Sequence, residues 1–100
     1  MSARQRRSER HEQISDTTLL LLRRCGETVT DLAASLGQDR TNISAKVHGN
    51  RLWTVDDLDR IAVHFGISLL ELLSGTQVAL DALPHERHAA TARQAALPAA

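Results

Sequence analysis

Apolar residues recur along this chain at intervals of three and four, in short runs that each end at a glycine. Ile14, Thr18, Leu21, Leu22 and Cys25 share one face of a helix that starts near Glu12, and Gly26 stops it. Thr28-Val29-Thr30-Asp31 opens a second helix, because a Thr followed three residues later by an acid is close to a capping box. Leu32, Ala33 and Leu36 form its apolar stripe, and Gly37 closes it. Asp39 is a good N-cap for a third helix, in which Ile43 and Val47 face inward and which ends at Gly49-Asn50. Thr54-Val55-Asp56-Asp57 starts a fourth helix carrying Leu58, Ile61, Ala62 and Phe65 on one face, with Gly66 as its stop. Ser68-Leu69-Leu70-Glu71 is a full capping box for a short fifth helix with Leu72 and Leu73.

No segment alternates apolar and polar residues for long enough to read as a strand. The pattern predicts an all-α chain: a compact five-helix bundle over residues 12–75, a charged flexible arm over 1–11, and an Ala-rich C-terminal tail over 76–100. The tail is either disordered or carries one additional helix across 84–97, with Pro84 in its first turn.

Composition narrows the options. The only aromatic residues are Trp53 and Phe65, so the core must be built from Leu, Ile, Val and Ala, enough for one small domain and too little for two. Net charge is zero, with 12 basic and 12 acidic residues, but Arg4, Arg6, Arg7 and Arg10 crowd the first ten positions. The lone Cys25 excludes an intrachain disulfide and a cysteine-based zinc site, and it reads as a small residue on the apolar face of the first helix. The longest run of large apolar residues, Leu19 to Leu22, is too short to cross a bilayer, and the basic N-terminus lacks the apolar stretch of a signal peptide. His85 and His88 lack the further ligands that zinc requires, so no metal or other cofactor is expected. Asp56, Asp57 and Asp59 are read as residues suited to the positive end of the fourth helix, and Trp53 as packed over the loop before it. No nucleophile–base pair, phosphate-cradling loop or paired-carboxylate site is visible, so the expectation is a protein without catalytic activity.

The second and third helices, spanning about residues 28–48, are the informative pair. A tight Gly37-Gln38 turn joins them, small Ala33 stands where they cross, and Ile43 anchors the second. These are the requirements of a helix-turn-helix. The spaced set Leu32-Ala33, Leu36-Gly37, Ile43-Ser44, Gly49, Leu58, Ile61-Ala62, Gly66-Ile67-Ser68 and Leu72 resembles, without gaps, the Cro/phage-repressor (XRE-type) helix-turn-helix family over about residues 12–74. The stretch GNRLWTVDDLDRIAVHFGIS looks like members common in actinobacteria and their phages.

The resemblance implies a fold of the phage-repressor DNA-binding type and a sequence-specific regulator of transcription, a repressor, that lays residues 39–48 in the DNA major groove. With Ile43 and Val47 inward, base edges would be read by Arg40, Thr41, Asn42, Ser44 and Ala45, an Arg fork suiting guanine. Phosphates would be met by Lys46, His48, Asn50, Arg51 and the cap residue Thr28. Arg4, Arg6, Arg7 and Arg10 form a candidate arm for phosphates or an adjacent minor groove. Three positions depart from the family pattern. Val29 stands where many members carry Gln, and Gln38 and Lys46 stand where the family is usually apolar. The implied partners are a double-stranded DNA operator and a second copy of the chain, docked through Leu69, Leu70, Leu73 and Val78 or through the tail. The implied place is the cytoplasm, at the nucleoid, with no membrane. The alternative from another class is an antitoxin or protein-interaction module on the same fold, its tail folding on a protein partner and DNA binding secondary.

Overall fold

The computed structural model describes residues 8–89. Along these residues run α1 (Glu9–Cys25), α2 (Val29–Leu36), α3 (Arg40–Val47), α4 (Val55–Phe65), α5 (Leu69–Leu73) and α6 (Thr76–Ala82), then a 3-10 turn at His85–Arg87. The first five are the helices read from the sequence. Their boundaries are set by local chemistry. Thr28, Thr54 and Ser68 each accept from the backbone N–H three residues on, and Asp31, Asp57 and Glu71 each return the bond to the cap residue's own N–H. Asp39 caps α3 by backbone shape alone, with no side-chain hydrogen bond. Gly37 ends α2 at φ 68°, and a Cβ placed there would touch nothing within 4 Å. The glycine is therefore required by its left-handed backbone and not by crowding.

The core is a single cluster. Leu21 of α1, Leu32 of α2, Ile43 of α3, Ile61 and Phe65 of α4 and Leu72 of α5 are all fully buried in it. α2 lies against α3 and α4, while α1 crosses behind α3, α5 and α6. Trp53 is buried too, and its indole N–H donates to Ser15 Oγ at 2.9 Å. Ser15 in turn donates to the Lys46 carbonyl at 3.2 Å, which ties α1, the end of α3 and the following loop together.

At the N-terminal end one expected boundary differs. The flexible arm was placed over 1–11, yet α1 begins at Glu9 with Ser8 as its cap, Ser8 Oγ accepting from the His11 N–H at 3.1 Å. Arg10 is therefore a helical residue, and its Nη1 donates to the Leu73 carbonyl at 2.7 Å, closing α1 onto the end of α5. Arg4, Arg6 and Arg7 lie outside the described residues. At the other end a helix stands ahead of residues 84–97. α6 spans 76–82 and packs on α1, with Ala79 fully buried and the Thr76 and Thr17 hydroxyls 2.8 Å apart. Pro84 follows that helix and packs against Gly66, 3.2 Å from where a Cβ would stand. Beyond it, Arg87 reaches the His64 carbonyl at 3.0 Å and the Glu27 carboxylate at 3.2 Å, and His64 joins Glu27 at 2.8 Å and Ser35 at 2.7 Å. Residues 84–89 are thereby strapped across the end of α4 and the α1–α2 loop. Residues 90–97 of the expected helix lie outside the described residues.

Candidate nucleic-acid interface

α2 packs against α3, and Ala33 on α2 is buried and small. α3 then buries Ile43, Lys46 and Val47. Residues three and four apart share a face of a helix, so one inward stripe fixes the outward one. Arg40, Thr41, Ser44, Ala45, His48 and Asn50 line a shallow open concavity of about 450 Å³ on that outward side. Four of the five proposed base readers are thus brought together on one surface, joined by two of the proposed phosphate contacts. Arg40 is exposed, and no partner holds its guanidinium among the described residues. His48 sits 2.8 Å from the Ser44 carbonyl through Nδ1. A carbonyl only accepts, so Nδ1 carries the proton and Nε2 is an acceptor while the ring is neutral. After α3 the chain folds back sharply. The Asn50 and Arg51 N–H groups both donate to the Ala45 carbonyl, at 2.7 and 3.2 Å, which keeps this loop beside the concavity.

Several of the residues assigned to DNA contact are engaged within the fold. Lys46 is turned into the protein: its Nζ lies 2.6 Å from Asp57 Oδ2, and the two side chains are 9% and 3% exposed. It also donates to Gln38 Oε1 at 3.3 Å. Lys46, expected from the sequence to meet a phosphate, is held in that ion pair instead. The signal was present in the sequence, since Lys46 is three residues after Ile43 and next to Val47, on the inward stripe. Asn42 is half-buried, and both ends of its amide are bonded within the fold: Nδ2 donates to Gln38 Oε1 at 2.6 Å and Oδ1 accepts from Arg51 Nη1 at 2.8 Å. Thr28 is exposed at the start of α2, its hydroxyl occupied with Asp31.

The residues that sequence reasoning missed are Gln38 and Asp57. The sequence places Asp57 only at the start of the fourth helix, as a partner for the Thr54 cap and a favourable charge there. It does cap α4, accepting from the Thr54 N–H at 2.9 Å, and it also accepts from Gln38 Nε2 at 2.6 Å and from Lys46. Burial by itself pushes this carboxyl toward the neutral form. The bonds from Lys46, the Thr54 backbone and Gln38 more than offset that, and Asp57 titrates below its ordinary range. A charged, fully bonded pair therefore lies directly beneath the helix-turn-helix.

Among the described residues, no group of three or more His, Cys, Asp or Glu side chains is placed to hold a metal ion, and no helix is long and apolar enough to cross a membrane. Residues 17–76, more than half of the chain, match the family model described as the Cro/C1-type HTH DNA-binding domain. Neither a search of curated proteins nor one of solved structures found a match.

Proposed function

We propose that this chain, which belongs to the Cro/C1-type helix-turn-helix DNA-binding family, is a transcriptional repressor that reads an operator through α3 and acts by occupancy, without catalysis. The observation that carries this reading is the outward face of α3. Arg40, Thr41, Ser44 and Ala45 stand together on one concave surface, backed by buried Ile43 and Val47 and lined among the described residues only by α3 and the loop after it. Arg40 supplies a fork for guanine O6 and N7, the Ala45 methyl meets a thymine methyl, and Thr41 and Ser44 donate or accept at neighbouring edges. His48, Asn50 and Arg51 meet phosphates at one end of the helix, and Thr28, with the N–H groups that begin α2, meets them at the other.

Two copies would place two α3 helices in successive major grooves, about 34–36 Å apart on a two-fold operator. The apolar surface for such pairing lies on α5 and α6, where Leu70 and Val78 are 75% and 44% exposed and Leu69 and Leu73 are half-buried. The cytoplasm, at the nucleoid, is the corresponding place of action. The protein-interaction alternative required a tail that folds on a partner. Residues 76–89 instead fold onto the domain itself, which favours the DNA reading.

Selection from a random duplex pool across a salt series, with Arg40→Ala alongside, tests the proposal. The expected result is an enriched motif that the variant relaxes at one base pair, by the roughly 1–3 kcal/mol of a bidentate Arg–guanine contact. Absence of duplex binding at low salt would refute it.

A further inference from the structure

We propose that Asn42 is a positioning residue: through a relay that starts at the buried Asp57, it holds the Arg51 guanidinium at the edge of the α3 face, set for a DNA phosphate. The proposal rests on the DNA-binding reading and assigns Asn42 a role other than base recognition.

The relay has a fixed direction. At its inner end stands a carboxylate, which only accepts; at its outer end a guanidinium, which only donates. Between them lie two amides that can each do both. Asp57 Oδ1 takes the Gln38 Nε2 N–H at 2.6 Å. Gln38 must then turn its Oε1 the other way, where it receives Asn42 Nδ2 at 2.6 Å and Lys46 Nζ at 3.3 Å. Asn42 is thereby forced to present Oδ1 outward, where Arg51 Nη1 donates to it at 2.8 Å. Flipping either amide would set oxygen against oxygen or NH2 against NH2. The Lys46–Asp57 pair pins the origin, because Asp57 is held ionised by three donors in a buried place.

The outer end lies where a ligand can use it. Arg51 is exposed, and its backbone N–H is tied to the Ala45 carbonyl at 3.2 Å, beside the concavity lined by Ala45, His48 and Asn50. Only one of its guanidinium N–H groups is spent on Asn42, and the rest of the fork is free among the described residues. A long side chain ordered before binding forfeits less rotamer freedom when it meets a phosphate.

Two measurements test the relay. In the free protein, nitrogen-15 relaxation of the Arg51 guanidinium should report order in the wild type and release in both Asn42→Ala and Gln38→Leu. The second variant leaves Asn42 and the apolar volume in place, so release there must travel through the relay. On a random-sequence duplex, Asn42→Ala should weaken binding by about 2- to 10-fold, the range that ordering one long side chain is worth. In an Arg51→Ala background the same change should do nothing further. Arg51→Ala itself should flatten the dependence of log affinity on log salt by about 0.9, one phosphate contact. The proposal is overturned if Arg51 stays as ordered in Asn42→Ala as in the wild type. It is equally overturned if the two substitutions add, or if Asn42→Ala changes the base selected at one position, which would make Asn42 a base reader. Failure of the wild type to bind any duplex at low salt would instead sink the function on which the proposal rests, and the DNA role of Arg51 with it.

Discussion

Replacing Lys46 with Met separates two quite different pictures of this helix. If Lys46 faced solvent and met a phosphate, Lys46→Met would leave stability alone and flatten the salt dependence of DNA binding by about 0.9. In the structure Lys46 is the inward partner of Asp57 at 2.6 Å, and both side chains are nearly inaccessible. Removing one member of a buried pair typically costs about 3–5 kcal/mol, because the other is left charged and uncompensated. Asp57 would keep the Thr54 N–H at 2.9 Å and Gln38 Nε2 at 2.6 Å, and Met fills most of the vacated volume. Those two bonds bring the expected loss to roughly 2–4 kcal/mol. For a domain of this size that is a fall in Tm of about 10–25 °C.

The pH dependence carries the sharper signature. In the wild type the folded Asp57 carboxyl titrates below the ordinary Asp value of about 3.9. A depressed folded value contributes stability that is present above about pH 3.9 and is lost as pH falls through the folded value. Without Lys46 the largest offset to burial is gone, and the folded value rises. The difference between wild type and variant should therefore be greatest near neutrality and shrink as pH falls through the carboxylate range. Urea denaturation followed by the fluorescence of Trp53, the only tryptophan, gives both quantities from one series. A loss below about 0.5 kcal/mol, the size of an ordinary surface substitution, or a loss independent of pH would refute the buried-pair account.

Two further outcomes are expected. Trp53→Phe removes the indole N–H that donates to Ser15 and leaves a smaller ring in a buried place, so denaturation followed by circular dichroism should show about 1–3 kcal/mol of destabilisation. Leu83→Ala truncates a side chain that is 4% exposed beneath the α6 end, and a loss of about 2–4 kcal/mol in thermal unfolding would place residues 76–83 within the cooperative unit; a change within about 0.5 kcal/mol would return them to a tail.

The parts of the fold that were legible in the sequence are those whose causes are local. A hydroxyl and an acid three residues apart close a cap wherever they occur, and a glycine in a left-handed turn ends a helix without help from afar. Thr28–Asp31, Thr54–Asp57 and Ser68–Glu71 were readable for that reason, as were Gly26, Gly37 and Gly66. The outward face of α3 followed because Ile43 and Val47 fix its opposite. α6 was less visible, since its anchoring residue Ala79 is small and its packing on α1 depends on a Thr17–Thr76 contact between residues far apart in the chain. The first turn of α1 was hidden by charge. Ser8, Glu9 and Arg10 look like a solvated arm until Arg10 is seen to reach Leu73. Lys46 was misplaced because its partner lies on another helix, and a lysine next to a plausible DNA face is naturally read as a cation for phosphate.

Apolar residues at positions 38 and 46 would hold α3 against α4 by contact alone. Apolar contact is tolerant of small rotations, because its energy depends on area and hardly on angle. Gln38 and Lys46 instead meet Asp57 through bonds of 2.6 Å each, to its two separate oxygens. Such a buried pair is close to neutral in stability when compared with an apolar replacement, so its presence is poorly explained as a device for making the domain stronger. What it adds is direction. Every member of the cluster is bonded, and the one buried side-chain nitrogen or oxygen without a partner among the described residues, Arg87 Nε, lies elsewhere, beside Glu27 and His64. A satisfied network in a low-dielectric place permits few alternative arrangements, since any rotation of α3 would strand a charge. The bonds that replace grease beneath the helix-turn-helix therefore define the angle at which Arg40, Thr41, Ser44 and Ala45 face outward, and through Asn42 they extend that definition to Arg51 at the surface.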